Sequence, residues 1–339
     1  MAKVLVTGGS GFIGSHLVAA LVARGDFVRI FDRVAPGQPA DGVEFVQGSI
    51  LDRALLSRAL DGIDRVFHLA GIAHLWTARR GEFDHVNRIG TETLLSAIAS
   101  TDIARFVHCS TEAILLPPNG GGHPIDETVS LAPADMPGPY TRSKYFAEQK
   151  ALSAARSGAP VIVVNPTLPV GPGDHRLTPP TAMLARCLGS RMPVSLDFAL
   201  NLADVRDIAQ GMILAADHGR IGERYILGGD NMSMRELAAV LEGLTGKRPV
   251  SLWISPWLAL TAGVADEWLA TNITGKMPAA TAEGVRLALR SRPLDIGKAR
   301  RELGYAPRPI ADALARALTW LAGMRRKRGA EPIGDSVVS

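Results

Sequence analysis

Residues 4–17, VLVTGGSGFIGSHL, constrain the fold of this chain more than any other stretch. The apolar run at 4–6 predicts a buried strand that enters a tight glycine turn. After the turn, apolar side chains recur at helical spacing, at Phe12, Ile13, Leu17, Val18 and Leu21. A strand, a glycine turn and a helix in this order are typical of the first unit of a dinucleotide-binding fold.

The turn has its glycines at Gly8, Gly11 and Gly14, in the spacing GxxGxxG. Without a Cβ, glycine lets the backbone come close to a pyrophosphate, and the N–H groups at the start of the helix would face that anion. A purely structural turn is the alternative interpretation, and the acid that ends the next strand argues against it. We therefore assign Gly8, Gly11, Phe12, Ile13 and Gly14 to a cofactor site.

The second predicted strand, 27–31, ends at Asp32, close to the ~20 residues after the glycine turn at which an acid binds the adenosine ribose. A carboxylate there accepts hydrogen bonds from both ribose hydroxyls and repels a 2′-phosphate, which favours NAD over NADP. Arg33 follows directly and could instead pair with that phosphate, so NADP is the less favoured alternative.

Further strands at 43–46, 65–69 and 105–109 alternate with helices. This alternation predicts an α/β fold, a Rossmann-type doubly wound parallel sheet, followed by a smaller mixed C-terminal lobe. The fourth strand ends at Leu69, and the small residues Ala70 and Gly71 would let a cofactor lie close. These three residues therefore join the predicted cofactor site.

The end of the fifth strand is the next candidate, because ligands of such sheets bind beyond the carboxyl ends of the strands. Thr111 and Glu112 stand there, and a Pro/Gly-rich loop at 117–138, long enough to be a functional flap, leads to the segment YTRSK. In that segment Tyr140 and Lys144 are four residues apart and share one helix face.

These residue types suit proton transfer coupled to hydride transfer. A phenol has a pKa of about 10, and a nearby ammonium group favours its ionised form. Tyr140 could then take the hydroxyl proton of a substrate while hydride passes to a nicotinamide, with Thr111 holding the same oxygen. A half-buried tyrosine beside a surface lysine is the alternative interpretation.

Over about residues 3–322 the chain resembles an extended short-chain dehydrogenase/reductase of the NAD-dependent epimerase/dehydratase superfamily. The resemblance rests on TGGSGFIG, the strand end at Asp32, HLAG at 68–71, NRIGT at 87–91, CST at 109–111, YTRSK, NPTLPVGPGD at 165–174, ADVRDIAQG at 203–211 and YILGG at 225–229.

The resemblance implies roles for individual residues. Thr111, Tyr140 and Lys144 would be the catalytic trio, with Lys144 also touching the nicotinamide ribose. The remaining implied cofactor contacts are Pro166 beside the nicotinamide, Ser49 and Ile50 beside the adenine, and Asn87 of the NRIGT segment. Relatives usually have Asp where this chain has Ser49, so the adenine contact differs here.

Within the superfamily the chain looks most like dihydroflavonol reductases, hydroxysteroid dehydrogenases and hopanoid-associated sugar epimerases. Nucleotide-sugar epimerases usually carry an arginine, to grip the diphosphate, where this chain has Leu200, Asn201 and Leu202. Sugar dehydratases usually have the sequence Ser-Thr-Asp-Glu at the end of the fifth strand. At the two acidic positions this chain has Glu112 and then Ala113.

These departures favour NAD(P)-dependent hydride transfer at a secondary alcohol or ketone of a small lipophilic or cyclic substrate, such as a sterol-, flavonoid- or polyketide-like molecule. The alternatives are an NAD-dependent epimerase or dehydratase of a sugar or nucleotide sugar, and a non-enzymatic NAD-sensing regulator. Such regulators have often lost the Tyr/Lys pair that this chain keeps.

An apolar stripe follows the predicted helix start at Ser255 and Pro256. It consists of Trp253, Trp257, Leu260, Val264 and Trp268. Core packing usually accounts for such a stripe. A lid over a lipophilic substrate, or peripheral contact with a membrane surface, is the alternative. Candidate substrate contacts are His74, Glu112 and Trp257.

Composition limits the remaining possibilities. The net charge of +4 is mild, and its one basic run, 325–328, is explained as a solvated helix end, so we expect no nucleic-acid partner. Two cysteines and histidines without ligand spacing predict no disulfide framework and no metal. The absence of a signal peptide or apolar span favours the cytoplasm, and the resemblance favours a homodimer through the helix at 86–98 and the helix of Tyr140.

The expected domain organisation is an NAD-binding Rossmann domain at 1–164, to which the chain returns at about 203–228. Residues 165–328 would form mainly the substrate-binding lobe. Residues 329–339 are polar and aperiodic, and we expect them to be a disordered tail.

Overall fold

Parallel strands form the centre of the computed structural model, which describes residues 1–37, 42–118, 123–188 and 194–327. Over these residues the strands are β1 Lys3–Thr7, β2 Phe27–Asp32, β3 Val43–Gln47, β4 Arg65–His68, β5 Arg105–Cys109, β6 Val161–Pro166, β7 Leu168–Val170, β8 Val194–Ser195, β9 Ala199–Asp204, β10 Arg224–Leu227, β11 Asp230–Ser233 and β12 Leu252–Trp253.

The helices of the same residues surround these strands. They are α1 Phe12–Ala23, α2 Arg53–Ala59, α3 Gly81–Phe83, α4 Gly90–Ile98, α5 Pro139–Arg156, α6 Pro179–Leu188, α7 Val205–His218, α8 Met234–Thr245, α9 Pro256–Leu269, α10 Ala282–Arg290, α11 Gly297–Leu303 and α12 Ile310–Lys327. A π-helical segment, Asp84–Ile89, joins α3 to α4, and a second one, Ala270–Thr274, continues α9.

The large sheet of the described chain has seven strands in the order β10-β6-β5-β4-β1-β2-β3, and all of its pairs are parallel. The chain winds outward from β1 to β3 and then crosses to β4 on the other side of β1. The predicted doubly wound Rossmann-type sheet is therefore confirmed. Thr7 pairs with both Phe31 and His68, so the strand order reverses beside the glycine turn, where such sheets bind ligands.

Strand β1 is buried on both faces, as its uninterrupted apolar run predicts. Val4 and Val6 point into one core with Leu17 of α1, whereas Leu5 points into the other core with Leu94 of α4. Because side chains alternate across a strand, this one segment anchors both helical layers. The start of α2 also follows its sequence signal, since the Asp52 carboxylate accepts from the Leu55 N–H at 2.9 Å.

The second lobe contains the smaller mixed sheet that the sequence predicts. In the described residues its strands have the order β11-β9-β7, and helices α6, α8 and α12 cover it. The chain then returns to the large sheet, because β10 pairs with β6 and α7 packs in the same core as α1. The predicted tail at 329–339 lies outside the described residues.

Three of the five residues of the apolar stripe lie on the surface of α9, so the favoured prediction of core packing is wrong for them. Trp253, in β12, packs against the core of the second lobe, and Leu260 is half-buried. The exposed fraction is 68% for Trp257, 47% for Val264 and 57% for Trp268. The buried face of α9 consists instead of Ala259 and Gly263. These small residues let α10 approach closely: a Cβ on Gly263 would lie 3.0 Å from the side chain of Val285.

The described part of the predicted flap is held against the second lobe. The Ile125 N–H donates to the Pro293 carbonyl at 2.9 Å, and the Asp295 N–H donates to the Ile125 carbonyl at 2.8 Å.

Across the described residues, the helices are all too short or too polar to cross a bilayer.

Candidate active site

A cavity of about 450 Å³ opens at the carboxyl ends of the central strands, between the large sheet and the second lobe. It brings together most of the site residues that the sequence predicts. These lining residues are Gly8, Gly11, Phe12, Ile13, Gly14, Leu69, Gly71, His74, Thr111, Glu112, Tyr140, Lys144 and Pro166. Residues from distant parts of the sequence therefore converge on one site.

The glycine turn is shaped for close approach of a ligand. Gly8 has a φ of +75°, and a Cβ there would lie 2.6 Å from the backbone nitrogen of Ala70. A Cβ on Gly14 would lie 2.2 Å from the Gly8 carbonyl oxygen. The Ser10 hydroxyl is buried without a hydrogen-bond partner, beside the free N–H groups at the start of α1. An unpaired donor and a helix N-terminus together fit the pyrophosphate of a dinucleotide.

Asp32 braces this turn from the end of β2. Its Oδ2 accepts from the Ser10 N–H at 3.1 Å and its Oδ1 accepts from the Val34 N–H at 3.2 Å. Each carboxylate oxygen keeps a further lone pair for a ribose hydroxyl. Arg33 is exposed to solvent. The geometry of the turn and of Asp32 thus fits the predicted adenosine ribose contact.

Besides Asp32, Arg33 and Ala70 at the glycine turn, three predicted cofactor residues, Ser49, Ile50 and Asn87, lie outside the cavity lining. The Ser49 hydroxyl accepts from the Leu51 N–H at 3.3 Å, and Ile50 is buried against Gly90. Asn87 is engaged by the protein: its Oδ1 accepts from the Ile72 N–H at 2.8 Å, and its Nδ2 donates to the Ser143 hydroxyl at 2.9 Å. Asn87 therefore ties the loop after β4 to α5, and direct contact of these three residues with a cofactor stays a prediction.

Thr111 and Tyr140 meet at the reacting end of the cavity. Thr111 begins a 3₁₀-helix at Glu112–Leu115, and its hydroxyl accepts from the Ala113 N–H at 3.2 Å. The same hydroxyl lies beside the Tyr140 phenol and acts to lower the pKa of that phenol. The ring of Phe83 packs edge-on against the Tyr140 ring, with 6.2 Å between the ring centres. The sequence brings these groups together because the end of β5 faces the first turn of α5.

Lys144 lies one turn further along α5 and is held by the strand end. Its Nζ donates to the Cys109 carbonyl at 2.7 Å. Burial lowers the pKa of the Lys144 ammonium, and burial raises the pKa of the Tyr140 phenol. The expected lowering of the Tyr140 pKa is therefore not found in the protein alone.

Glu112 places a carboxyl group in the cavity beside Thr111. Its Oε2 accepts from the Thr111 hydroxyl at 3.0 Å. Burial raises the pKa of the Glu112 carboxyl to about 7. A carboxyl group that titrates near neutrality inside a cavity is a common feature of active sites.

Sequence reasoning missed Glu283, which caps the helix of Tyr140. Its carboxylate is buried and accepts from the Thr141 N–H at 2.8 Å and from the Thr141 hydroxyl at 2.7 Å. A Cβ on Gly138 would lie 2.3 Å from the Glu283 carboxyl, so that glycine makes room for the cap. The residue lies in α10, and its position in the sequence gives no signal of this contact.

The outer part of the cavity is mainly apolar. It is lined by Ile72, Leu75, Leu116, Met183, Phe198, Leu200 and Leu287. His74 lies among them, and burial lowers the pKa of its imidazole. Leu200 stands in the segment where nucleotide-sugar epimerases usually carry an arginine, so the cavity wall is apolar at that position.

Trp257 does not belong to this wall, and the prediction that it contacts substrate is not supported by its position. It stands on the exposed face of α9, while α10 separates α9 from the cavity through Gly284 and Leu287. Trp76, by contrast, is buried, and its Nε1 donates to the Thr271 hydroxyl at 3.2 Å.

Comparison with known proteins gives a consistent picture. The sequence model of the NAD dependent epimerase/dehydratase family matches residues 4–228. A sterol demethylase protein B from Methylococcus capsulatus is 31% identical over 96% of this chain and 98% of that protein. A 4-hydroxy-2-methyl-3-oxo-4-farnesyl-3,4-dihydroquinoline-1-oxide ketoreductase from Stigmatella aurantiaca is 33% identical over 99% of this chain and 98% of that protein.

A solved structure is similar over almost the whole chain. It is the dTDP-glucose 4,6-dehydratase DesIV from Streptomyces venezuelae, crystallised with NAD bound. Its TM-score is 0.77 at 28% identity, over 96% of this chain and 98% of that chain.

Proposed function

Because this chain belongs to the NAD-dependent epimerase/dehydratase family of extended short-chain dehydrogenases/reductases, we propose a specific reaction for it. It is an NAD-dependent enzyme, and its relatives include reductases and hydroxysteroid dehydrogenases. The proposed reaction is hydride transfer between nicotinamide and a secondary alcohol or ketone of a lipophilic or cyclic molecule. The observation that carries this proposal is the apolar wall of Phe198, Leu200 and Leu287 next to Thr111 and Tyr140.

The chain's own residues would carry the proton chemistry. Bound NAD would supply the acceptor for the hydride that leaves the alcohol carbon. As the carbon–oxygen double bond forms, the hydroxyl proton passes to the Tyr140 phenolate, and in ketone reduction the phenol returns it. The Thr111 hydroxyl would donate a hydrogen bond to the same oxygen. Lys144, whose Nζ donates to the Cys109 carbonyl, would favour the phenolate through its positive charge.

Two relatives support the substrate class through the molecules in their names. One is a sterol demethylase protein, and the other is a ketoreductase of a farnesylated quinoline oxide. A sterol and a farnesyl chain are both mostly apolar, so they suit a wall of leucine, methionine and phenylalanine side chains.

The alternative function is that of an NAD-dependent epimerase or dehydratase acting on a sugar or nucleotide sugar. It is supported by the similarity to DesIV and by Glu112 beside Thr111. Leu200 and Ala113 count against it, because the first supplies no charge for a diphosphate and the second supplies no partner acid. A non-enzymatic NAD sensor is disfavoured by the retained Tyr140 and Lys144.

A spectroscopic assay separates these functions. Purified protein is mixed with NAD and a panel of lipophilic secondary alcohols and nucleotide sugars, while the absorbance of reduced nicotinamide is followed. We expect net reduction with an apolar alcohol and none with Tyr140→Phe. Tyr145→Phe is the matched control, because the Tyr145 hydroxyl donates to the Leu131 carbonyl at 3.1 Å and does not line the cavity. Isomerisation of a sugar without net reduction would overturn the proposal in favour of the epimerase.

The exposed face of α9 suggests how a lipophilic substrate could be reached. We propose peripheral contact of this face with a lipid surface. Its exposed side chains are Trp257, Leu258, Val264, Trp268, Leu269, Ile273 and Met277. The acids of the same helix are already engaged, because Glu267 pairs with Arg80 at 2.8 Å and Asp266 accepts from the Ala280 N–H at 2.9 Å. The Arg80 cation therefore offsets the charge of Glu267, whereas the hydrogen bond to Asp266 leaves the charge of that carboxylate in place.

The domain division at residue 164, a homodimer through α4 and α5, and a location in the cytoplasm stay predictions. The dimer follows from the family resemblance alone. Size-exclusion chromatography with light scattering would test it directly.

A further inference from the structure

The Thr111 hydroxyl has three neighbours and a single proton. It lies 3.0 Å from Glu112 Oε2, accepts from the Ala113 N–H at 3.2 Å, and stands beside the Tyr140 phenol, whose pKa it acts to lower. A threonine hydroxyl can donate once and accept twice. The direction of its one proton therefore depends on which neighbours can donate to it.

The charge of Glu112 decides that direction. An ionised carboxylate only accepts, so it takes the Thr111 proton and leaves no donor for a reacting oxygen. A protonated carboxyl can instead donate to Thr111 Oγ1. The Ala113 N–H and the Glu112 O–H then fill both lone pairs, and the Thr111 proton turns toward Tyr140 and the substrate oxygen.

We propose that Glu112 is a positioning residue that acts through Thr111, and that its neutral form turns the Thr111 hydroxyl toward the reacting oxygen. This rests on the proposed function, since it concerns the oxygen from which Tyr140 takes a proton. The electrostatics act in the same direction. An ionised Glu112 raises the pKa of Tyr140 and so opposes formation of the phenolate that accepts the proton.

The surroundings of Glu112 make this switch relevant near neutral pH. The other titratable or charged side chains that line the same cavity are Tyr140 and Lys144 of α5, Cys109 at the end of β5, His74 of the loop after β4, and Arg176 between β7 and α6. Burial is the largest influence and raises the Glu112 pKa to about 7, while hydrogen bonds from Thr111 and the Ala113 backbone oppose this rise.

The pH profile of ketone reduction by reduced nicotinamide tests the inference, because Tyr140 then reacts as the neutral phenol and its own ionisation does not offset the effect. In the wild type kcat of this reduction should fall about tenfold per pH unit above about pH 7, as one proton is lost from Glu112. Glu112→Gln stays neutral and its amide can donate to Thr111, so the variant should lack this fall. At about pH 6 its kcat should lie within about threefold of wild type, with KM changed less than about twofold. Persistence of the fall in Glu112→Gln would overturn the proposal.

Two control variants separate the effect of Glu112 from that of neighbouring groups. Glu283 also raises the Tyr140 pKa but contacts Thr141 and not Thr111, so Glu283→Gln should keep the fall. In a Thr111→Val background, Glu112→Gln should change the pH profile no further. A further change there would mean that Glu112 acts directly on the substrate, and the positioning role would be wrong.

A measurement without turnover keeps the inference separate from the proposed function. Infrared difference spectra of the free protein should show a protonated carboxyl band that disappears around pH 7 and is missing in Glu112→Gln. A wild type without this band would overturn the proposal. If the band is present but no alcohol or ketone is turned over, the proposed function fails while the charge state assigned to Glu112 stands.

Discussion

The carboxylate of Glu283 accepts a hydrogen bond from the backbone N–H of Thr141 at 2.8 Å. It also accepts from the Tyr140 N–H at 3.2 Å. The first turn of a helix leaves such N–H groups without partners, and here α10 of the second lobe satisfies two of them for α5. Since α10 also lines the cavity through Leu287, the apolar wall of the cavity is joined directly to the helix that carries Tyr140.

Removal of this cap should cost both stability and activity. Glu283→Ala leaves buried N–H groups unpaired, so we expect a loss of about 1–3 kcal/mol in the free energy of unfolding. A shift of Tyr140 should lower kcat by about tenfold to a hundredfold, and Glu283→Gln should be intermediate. Urea unfolding and initial rates measure the two effects. Ser233→Ala is the control: it removes the side-chain cap of the exposed start of α8, and an equal loss of kcat there would contradict the link.

Glu112 should make stability depend on pH. Its pKa rises from 4.5 to about 7 on folding, so the folded protein binds more protons than the unfolded chain between these values. Stability should therefore fall as pH rises through this window, by about 1–3 kcal/mol, and should level off above it. Glu112→Gln should lack this fall and be the more stable protein at about pH 8. Urea unfolding over a pH series measures it, with the exposed Glu82→Gln expected to follow the wild type.

Local sequence patterns predicted much of the fold. β5 at Arg105–Cys109 has the predicted bounds, because it is a largely apolar run between polar or turn residues. Tyr140 and Lys144 were predicted as a pair because helical spacing alone places them on one face. Such patterns depend only on residues close together in the sequence, so packing between distant segments does not alter the structure that they predict.

Features that depend on packing between distant segments were not predicted. Glu283 is 143 positions from Tyr140, and no local pattern links a residue in α10 to the start of α5. The periodicity of α9 correctly indicated a helix but not which face is buried. The deciding factor was the small size of Ala259 and Gly263, which lets α10 approach on the side opposite the tryptophans.

Asp32 should set the choice between the two nicotinamide dinucleotides. Asp32→Asn removes a charged acceptor for the ribose hydroxyls, so the Kd for NAD should rise about tenfold or more. It also removes repulsion of a 2′-phosphate, so the affinity for NADP should stay level or increase, helped by the adjacent Arg33. Calorimetric titration with both dinucleotides measures the ratio. Asp52→Asn, which alters only the cap of α2, should leave the ratio unchanged, and an unchanged ratio in Asp32→Asn would refute the assignment.

The tryptophans of α9 should govern binding to lipid vesicles. In Trp257→Ser/Trp268→Ser, the fraction that sediments with phosphatidylcholine vesicles should fall at least about tenfold, because two large apolar groups no longer enter the interface. Ile221→Ser is the matched control, since Ile221 is 49% exposed but lies between α7 and β10, away from α9. Turnover of a water-soluble alcohol should be equal in all three proteins, because none of these side chains lines the cavity. Equal sedimentation of the double variant and the wild type would exclude α9 as the lipid contact.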